Sequence, residues 1–419
     1  MEVLYASCCG LDVHSKFVTA CVLRGPAVDP QKHVREFPAT TSGLLRVRDW
    51  LNGLSCRAVA MESTGVYWKP VWNILEGPDF ELTLANPHAI KGIKGRKTDV
   101  GDAEWIAKLH RSGLVAGSFV PPEPIRDLRD LTRYRTTLVE EQSAERNRIL
   151  KVLEDANIKL AEVASDVFGA SGWAMLQALA RTEGQADAAQ LADLARGRLR
   201  LKLPELREAL RGSFREHHRY MLRIEMRHLE QVAVDIAELE QRSDECLRPY
   251  QEQVDLLETV PGMQDRTAAV VIAEAGPDAT VFPDADHFSS WAGLCPGNNE
   301  NGNKKRPAHI RDGNRHLRAA LCETAWSGAR KRNTFLSASF WRLRARIGAK
   351  KALIAIAHKQ AVAIHRVLKE RVPYQDLGPE YRRRVDAQRY ESSLVRKLEA
   401  LGYRVSRQPQ GGATAAATE

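Results

Sequence analysis

The sequence has few cysteines for its length, and their spacing fits neither a metal-binding nor a disulfide framework. The seven cysteines of the 419-residue chain include no C-x-x-C pair, which argues against a zinc ribbon and against a disulfide-stapled secreted domain. No apolar run reaches the roughly 20 residues that cross a bilayer. The first residues, Met-Glu-Val-Leu-Tyr, are not those of a signal peptide. We therefore expect a protein of the reducing cytoplasm with no membrane partner.

Acidic residues are scarce in one part of the chain. Residues 303–374 contain eighteen Lys or Arg and three acids, whereas residues 1–112 are nearly balanced, with fourteen basic and twelve acidic residues. The whole chain has a formal net charge of +9. A local excess of positive charge of this size indicates an anionic polymer, such as a nucleic acid, as the partner.

The first hundred residues alternate short apolar runs with turn signals. The pattern predicts a hairpin over residues 3–24 and a third strand over 33–37, followed by a helix capped by Ser42. Strands over 57–61 and 81–85 are then separated by a helix. A meander that passes into alternating strands and helices predicts an α/β domain with a mixed sheet.

The segment Lys-Thr-Asp-Val-Gly-Asp-Ala-Glu-Trp-Ile-Ala, residues 97–107, predicts the start of a helix. Thr98 is a suitable N-cap, and the helix dipole favours Asp99 and Asp102 in the first turn. These two acids share a helix face with Ile106, which belongs to the inward stripe. Carboxylates on an inward face need a cationic partner, although first-turn acids in water are the simpler interpretation of an isolated T-D-x-x-D pattern.

Four acids of this region are predicted to meet at one edge of the sheet. Asp12 and Glu62 end two strands, and Asp99 and Asp102 begin the helix that packs on the sheet. Four neighbouring carboxylates cannot all ionise without metal ions. Two Mg²⁺ ions about 3.5–4 Å apart in such a cluster suit in-line attack on a phosphodiester. We therefore expect the four acids to be catalytic ligands of a two-ion Mg²⁺ site.

Two long helices are predicted in the middle of the chain, from Pro124 to about residue 157 and from near Ser213. The second contains apolar residues at a 4-3-4-3 spacing typical of a coiled-coil seam, namely Leu222, Met226, Leu229, Ala233 and Ile236. The seam either pairs two helices of one chain or joins two subunits. Arginines on the first helix either contact phosphates or form a solvated face, namely Arg129, Arg133, Arg135, Arg146 and Arg148.

Three features of the C-terminal half carry weaker signals. Pro261-Gly262 has the outline of a helix-hairpin-helix turn that binds a DNA phosphate, but a plain helical turn explains it equally well. The aromatic residues within the basic run are assigned to a core, namely Trp326, Phe335, Phe340 and Trp341. Residues 351–368 predict an amphipathic helix, and the tail from about residue 406 is expected to be disordered.

Four short N-terminal motifs carry a family resemblance. They are G-L-D-V-H from Gly10, A-M-E-S-T-G from Ala60, A-N-P from Ala85 and K-T-D-x-x-D-A from Lys97. They resemble the insertion-sequence-one-ten family of transposases, which includes the Piv-type site-specific DNA invertases. The resemblance implies a RuvC-like, RNase H-type domain whose Asp-Glu-Asp-Asp metal site consists of Asp12, Glu62, Asp99 and Asp102.

The resemblance also implies a DNA recombinase, and for many relatives a structured guide RNA encoded by the element. It favours a homo-oligomer, a dimer or a tetramer, and a cytoplasmic location associated with the nucleoid. The guide RNA, the assembly and the location follow from the family and not from the composition of the chain.

A second signature resembles the family's C-terminal transposase domain. It comprises W-A-G-L-C-P-G-N-N-E from Trp291 and G-N-R-H-L-R from Gly313. In relatives a serine directly follows the glutamate of this loop and links covalently to DNA, but this chain has Asn301, and an amide nitrogen is not a comparable nucleophile. We expect the nearby basic residues to bind nucleic acid, namely Lys304, Lys305, Arg306, Arg311, Arg315 and Arg318.

Three explanations of Asn301 stay open. A nearby hydroxyl, Ser289 or Ser290, takes over the role, the enzyme is silenced, or the chain cuts DNA with metal-activated water alone. We expect strand transfer to be lost or severely impaired.

The sequence thus predicts four segments. They are a RuvC-like domain over 1–120, a helical coiled-coil region over 121–250, a mainly α C-terminal transposase domain over 251–375 and an extension over 376–419. The predicted function is a DNA transposase or site-specific recombinase. The alternatives are a RuvC-like structure-selective DNA nuclease, which needs the four acids but no serine, and a catalytically silent nucleic-acid-binding descendant.

Overall fold

A computed structural model describes residues 3–63, 65–86, 99–115, 117–182, 187–297, 300–301, 304–305, 310 and 312–406. The chain divides into two compact units, Met1–Pro121 and Pro122–Glu419. The first contains a mixed sheet and the second is mostly helical, which confirms the predicted fold class at this level. No helix within the described ranges has both the length and the apolar character to span a membrane. The finer division into four segments stays a prediction.

The N-terminal unit is built on a sheet whose described strands lie in the order β3-β2-β1-β4-β5-β6. β1, β2 and β3 form the predicted antiparallel meander, and β4 and β5 extend the sheet parallel to β1. The short β6, which the sequence did not predict, pairs antiparallel with β5. In chain order the strands are β1 (Ser7–Val13), β2 (Phe17–Arg24), β3 (Gln31–Pro38), β4 (Ala58–Glu62), β5 (Glu81–Ala85) and β6 (Gly117–Ser118).

Helices cover both faces of this sheet. On one face α1 (Thr41–Gly53) and α2 (Trp68–Leu75) pack their apolar residues against alternate residues of β1, β2 and β4. On the other face lies α3 (Asp99–Arg111). The cap of α1 is Thr40, whose hydroxyl accepts a 3.2 Å hydrogen bond from the amide of Gly43. The predicted cap, Ser42, is wrong by two positions, because the helix already begins at Thr41.

Helix α3 lies directly on the backbone of β1. A Cβ atom added at Gly10 would be 2.2 Å from the carbonyl oxygen of Ala103 and 2.4 Å from the amide nitrogen of Ala107. Both alanines are fully buried. Glycine in the strand and alanines in the helix therefore allow backbone-to-backbone packing that a larger side chain would prevent.

The second unit begins with two long helices, α4 (Glu123–Asp155) and α9 (Glu216–Leu247), which pack along each other within one chain. Leu222, Met226 and Leu229 are buried as predicted. Val232 is buried in place of the predicted Ala233, which is exposed, because the straight 3.6-residue period drifts from a strict heptad. Coiled-coil geometry itself stays a prediction.

Between the two long helices, the described residues form four short α-helices. Their Leu- and Ala-rich faces share one apolar cluster with the adjoining ends of α4 and α9. They are α5 (Leu160–Val163), α6 (Ala170–Arg181), α7 (Ala188–Asp193) and α8 (Leu203–Ala209).

The C-terminal helices surround a second large apolar cluster, which also includes residues of α4. They are α10 (Gln251–Glu258), α11 (Asp265–Ala275), α12 (Ala285–Trp291), α13 (Arg315–Arg330), α14 (Phe335–Ile347) and α15 (Ala349–Glu370). The next helix, α16 (Tyr381–Ala400), is not among the helices whose described residues form this cluster. The predicted amphipathic helix over 351–368 is confirmed as part of α15. The predicted disorder beyond residue 406 falls outside the described residues.

The Pro261-Gly262 turn faces the protein interior. A Cβ atom at Gly262 would lie 2.4 Å from the carbonyl oxygen of Thr324, and Gln360 Nε2 donates a 2.9 Å hydrogen bond to the carbonyl of Pro261. Because helix α13 packs directly against the turn, the plain helical turn is the better interpretation. The helix-hairpin-helix alternative is not favoured.

Candidate active site and nucleic-acid interface

Asp12 and Glu62 lie near the carboxyl ends of adjacent parallel strands and on the same face of the sheet. The register pairs Leu11 with Met61, so the next residues along each strand, Asp12 and Glu62, stand at the same level. Because successive side chains of a strand point to opposite faces of the sheet, Asp12 lies on the same face as Gly10, and Glu62 on the same face as Ala58 and Ala60. Helix α3 covers this face. Both residues are half-buried.

Helix α3 runs antiparallel to β1, and three contacts fix its direction. The amide of Leu4 donates to the carbonyl of Arg111, the Cys8 thiol donates to the carbonyl of Ala107, and Gly10 abuts Ala103. The N-terminal turn of α3 consequently lies toward the carboxyl end of β1. Asp102, which is half-buried, comes from this turn.

Asp99 is the first residue of α3, as predicted, but its side chain lies outside what the structure describes, and so does its predicted cap, Thr98. Among the described side chains, no group of three or more His, Cys, Asp or Glu is close enough to hold a metal ion. The structure thus places Asp12 and Glu62 at one edge and on one face of the sheet and directs the turn that contains Asp102 toward the same edge. The described side chains there do not form a closed set of ligands.

Thr19 is a neighbour of this edge that the sequence reasoning missed. It stands directly opposite Asp12 in the antiparallel β1–β2 pair and therefore on the same face. Its side chain is 2 % exposed, and Oγ1 has no hydrogen-bond partner within the described structure. An unpaired buried hydroxyl is costly. The hairpin register, had it been known, would have identified this position.

Glu104 shows how α3 neutralises an acid that is not in the candidate site. Hydrogen bonds from Lys108 and Lys32 lower the pKa of Glu104 below its ordinary value. Glu104 therefore forms a structural ion pair with lysines of α3 and β3. It lies two residues from Asp102 and so on a different side of the helix.

The cysteines of the N-terminal unit are unsuited to metal binding. Burial raises the pKa of Cys8 to about 12 and that of Cys21 to about 11, and it raises that of Cys9 well above its ordinary value. Thiols with such values stay protonated near neutral pH, whereas metal binding needs the thiolate. These residues act as small apolar groups of the core.

The segment before α13 contains a short hairpin at the position where the family resemblance implies a nucleophile. β7 (Glu300–Asn301) pairs antiparallel with β8 (Lys304–Lys305), and Asn301 stands opposite Lys304. The side chains of this hairpin lie outside the described residues, as do Arg306 and Arg311 entirely. The next two predicted contacts, Arg315 and Arg318, are on the first turn of α13, where Arg315 is exposed and Arg318 half-buried.

Asn314 fixes the end of this loop. Its side-chain oxygen caps α13 by accepting from the amides of His316 and Leu317 at 3.1 and 3.0 Å. Its Nδ2 donates a 2.7 Å hydrogen bond to Glu274 of α11. The amide of Asn314 also donates to the carbonyl of Trp291, so the loop leaves and re-enters the helical core at neighbouring points.

Glu274 is a fully buried acid that the sequence reasoning missed. Arg133 donates two hydrogen bonds to its carboxylate, at 2.7 and 2.8 Å, and Arg129 lies 3.4 Å away. Burial raises the pKa of Glu274, but Arg133, Arg129 and Asn314 together outweigh burial and leave it below its ordinary value. The signal in the sequence was one acid inside the apolar run Val270–Ala275.

Three of the five arginines considered on α4 are half-buried and bind protein groups, so neither interpretation made from the sequence holds for them. The other two, Arg146 and Arg148, are exposed, as a solvated face predicts. Arg129 and Arg133 serve α11, and Arg135 pairs with Glu240 of α9 at 2.6 Å. Arg148 pairs with Glu145, and Arg146 lies over the ring of Phe168. The sequence of α4 alone could not show the partners of Arg129, Arg133 and Arg135, because these come from distant segments of the chain.

Ser289 does not fit the role of a substitute nucleophile. It is fully buried in α12, and its Oγ has no hydrogen-bond partner among the described residues. Ser290 is half-buried. Of the two hydroxyls considered near the loop, only Ser290 keeps access to solvent.

The aromatic residues of the basic run divide into two groups. Phe340 is buried, as predicted, and Phe335 is half-buried. Trp326 and Trp341 are exposed, so their assignment to the core is wrong. Both indoles extend from helices whose opposite faces fill the core.

Comparison with known proteins agrees with the two signatures. A family model of the IS110 DEDD type, described as "Transposase", matches residues 9–158, and one described as "Transposase IS116/IS110/IS902 family" matches residues 254–339. An "Insertion element IS110 uncharacterized 43.6 kDa protein" of Streptomyces coelicolor is 40 % identical over 73 residues. That alignment covers 17 % of this chain and 18 % of the relative, so the chain spans only a minor part of that relative. The two family matches together show that the chain belongs to the IS110 family of transposases.

Proposed function

We propose that this chain is a DNA transposase or site-specific recombinase whose phosphodiester chemistry takes place at the carboxyl edge of β1 and β4. The observation that carries the proposal is the placement of Asp12 and Glu62 at one level and on one face, beneath the helix that begins with Asp99 and Asp102. The mixed sheet with helices on both faces supports the RuvC-like, RNase H-type fold that the family resemblance implies.

The donor set at this edge fits a hard divalent cation. Carboxylate oxygens are the groups that Mg²⁺ prefers, and thiols of the same unit stay protonated. The buried Thr19 hydroxyl adds an unused polar atom beside Asp12. We propose Asp12, Glu62, Asp99 and Asp102 as the ligands of two Mg²⁺ ions, which when bound would neutralise charge on the phosphate and lower the pKa of the attacking group.

The protein groups themselves contribute orientation and electrostatics. Asp12 and Glu62 are held by strand pairing, and Asp102 by the backbone packing of α3 on Gly10. The N-terminus of α3 carries partial positive charge, which favours both ionised first-turn acids and a nearby phosphate. A rigid frame of this kind keeps the acids in place when a phosphodiester enters.

The basic residues around the hairpin of β7 and β8 are proposed to hold the DNA backbone. They are Lys304, Lys305, Arg306, Arg311, Arg315 and Arg318. Binding through phosphates neutralises charge without reading sequence and falls steeply as salt increases.

Asn301 favours a second candidate, a structure-selective DNA nuclease. Hydrolysis with a metal-activated water needs the four acids and no hydroxyl at position 301, whereas strand transfer through a covalent intermediate needs a nucleophile there. The third alternative, a silent nucleic-acid-binding descendant, would bind DNA and produce neither cleaved ends nor adducts.

A guide RNA and a homo-oligomeric state stay predictions from the resemblance. Sequencing of RNA that co-purifies with the chain would check the first. Light scattering of the nucleic-acid-free protein would check the second, with a dimer or a tetramer as the expected mass.

Asp102→Asn tests the proposed site. With Mg²⁺ and labelled DNA we expect the substitution to abolish metal-dependent cutting while retention on a DNA column stays near that of the unaltered protein. Glu104→Gln, two residues away in the same helix, is the matched control and should leave cutting intact, because Glu104 pairs with lysines. Survival of cutting in Asp102→Asn would show that the site lies elsewhere.

A further inference from the structure

Two exposed tryptophans, Trp326 of α13 and Trp341 of α14, pack against the same phenylalanine. The side chain of Trp326 is 43 % exposed and that of Trp341 is 54 % exposed. Both rings stand edge-on to Phe340, with centroid distances of 5.8 and 5.4 Å and interplanar angles of 86° and 76°. Since Phe340 is buried, one residue of the core supports both indoles.

An arginine lies over each indole. The Cζ atom of Arg330 is 5.1 Å from the ring centroid of Trp326, and that of Arg344 is 4.8 Å from the centroid of Trp341. Both arginines are exposed. A guanidinium held against an aromatic ring is pre-oriented and still has donors for a phosphate.

The sequence segment that contains these two tryptophans carries charge of one sign. Residues 324–369 contain eleven Lys or Arg and no acid. Among the described residues, neither Arg330 nor Arg344 forms an ion pair, in contrast to the arginines of α4, whose partners are carboxylates of the protein. Arg330 and Arg344 are therefore available to an anion from outside.

We propose that Trp326, Trp341, Arg330 and Arg344 form a binding surface for unpaired bases of single-stranded DNA. Bases would stack on the indoles, and the arginines would contact the adjacent phosphates. The choice of DNA rests on the proposed recombinase function, because breaking and rejoining duplexes creates unpaired strands. A duplex fits less well, since its base faces are already covered by stacking and only the edges are accessible.

Binding of short fluorescent oligonucleotides to the full chain, in EDTA, tests the surface without any cutting. We expect Trp326→Ala with Trp341→Ala to weaken binding of an oligo-dT strand by at least about thirty-fold, as the loss of base stacking on two rings predicts. Binding of a duplex of equal length should change less than about two-fold. Arg344→Lys keeps the charge but not the planar group, and it should weaken oligo-dT binding to an intermediate degree.

Tyr220→Ala removes an exposed aromatic residue of α9 and is the matched control, expected to bind as the unaltered chain does. Circular dichroism and the melting temperature should confirm that the variants fold. Unchanged oligo-dT binding by the double variant overturns the proposal, and so does an equal loss for strand and duplex.

Two further results also contradict single-stranded DNA as the occupant. One is tighter binding of an oligo-U strand that depends on the same two tryptophans. The other is a change of oligomeric state in the double variant, which would assign the surface to a second copy of the chain. Asp102→Asn binds oligo-dT normally if the surface is correct, so failure of the proposed catalytic site and failure of this surface are distinguishable.

Discussion

Asn314 Nδ2 donates a 2.7 Å hydrogen bond to Glu274 Oε2 and thereby ties the cap of α13 to a buried carboxylate forty positions earlier in the chain. The same carboxylate accepts two hydrogen bonds from Arg133 of α4. One side chain thus connects three helices behind the loop that contains Asn301. Removal of the Glu274 carboxylate should therefore lower the stability of the fold and alter the conformation of that loop.

Glu274→Gln is expected to lower the free energy of unfolding by about 3–5 kcal/mol, the usual cost of leaving a buried charge without its partner. Chemical denaturation measures this directly. Glu240→Gln is the matched control, because its pair with Arg135 is partly exposed and should cost about 1 kcal/mol or less. If the two variants lose equal amounts of unfolding free energy, burial does not make the Glu274 pair more stabilising than the partly exposed pair.

The contribution of Glu274 should depend on pH in one direction. Arg133, Arg129 and Asn314 hold its pKa below the ordinary value of 4.5 despite burial, so the folded state binds the proton less readily than the unfolded state. The stabilisation is therefore complete above about pH 4.5 and is lost as the pH falls through the lower folded value. The difference in unfolding free energy between the unaltered chain and Glu274→Gln should shrink on acidification, and a constant difference would refute the assignment.

Gly10→Ala should displace α3 from β1. The new methyl group would lie 2.2 Å from the carbonyl oxygen of Ala103, which cannot yield without moving the helix, and overpacking of this kind costs about 1–3 kcal/mol. Because Asp102 belongs to the same helix, metal-dependent cutting should fall further than the loss of stability alone explains. The measurement is cutting at a temperature where the variant is still folded.

Gly53→Ala provides the comparison for Gly10→Ala. A Cβ atom at Gly53 meets nothing within 4 Å, and alanine suits a helix better than glycine by about 1 kcal/mol. This variant should be as stable as the unaltered chain or slightly more so. Full cutting activity in Gly10→Ala would mean that the position of α3 does not set the site.

Asn301→Ser tests the nucleophile position. If the loop is otherwise competent, the new hydroxyl should produce a covalent protein–DNA adduct that survives denaturing electrophoresis. We expect no such adduct from the unaltered chain. An adduct that is already present there and disappears in Ser290→Ala would instead identify Ser290 as the substitute, and cleaved ends without adducts in every variant would favour the nuclease.

The sequence predicted the mixed sheet because the N-terminal strands are local and clearly separated by turns. It also predicted that a helix begins at Asp99 and that a strand ends at Glu62. Asp99 directly precedes a clear apolar pattern, and Glu62 directly follows one. The common face of Asp12 and Glu62 follows from alternation once the pairing of β1 with β4 is known. That pairing joins residues fifty positions apart, and the local pattern does not contain it.

Other features depended on packing that no local pattern encodes. An aromatic residue at helical spacing is buried only if another element covers it, and Trp341, whose side chain is 54 % exposed, has Arg344 of its own helix over its ring. Glu274 found its partners on α4 and α13, far away in sequence. Val232 is buried in place of Ala233 because the buried face of a straight helix shifts by one residue, relative to a strict heptad, over about three turns.

The Glu274 junction has a practical consequence for dividing the chain. A fragment that starts after α9, at the predicted boundary of residue 251, would keep the carboxylate and lose both arginines of α4. Such a piece would contain an ionised group sealed from water without a counter-charge, and it should be recovered as aggregate. Expression of the C-terminal helices alone therefore needs residues 123–155 supplied with them, either linked or as a second polypeptide.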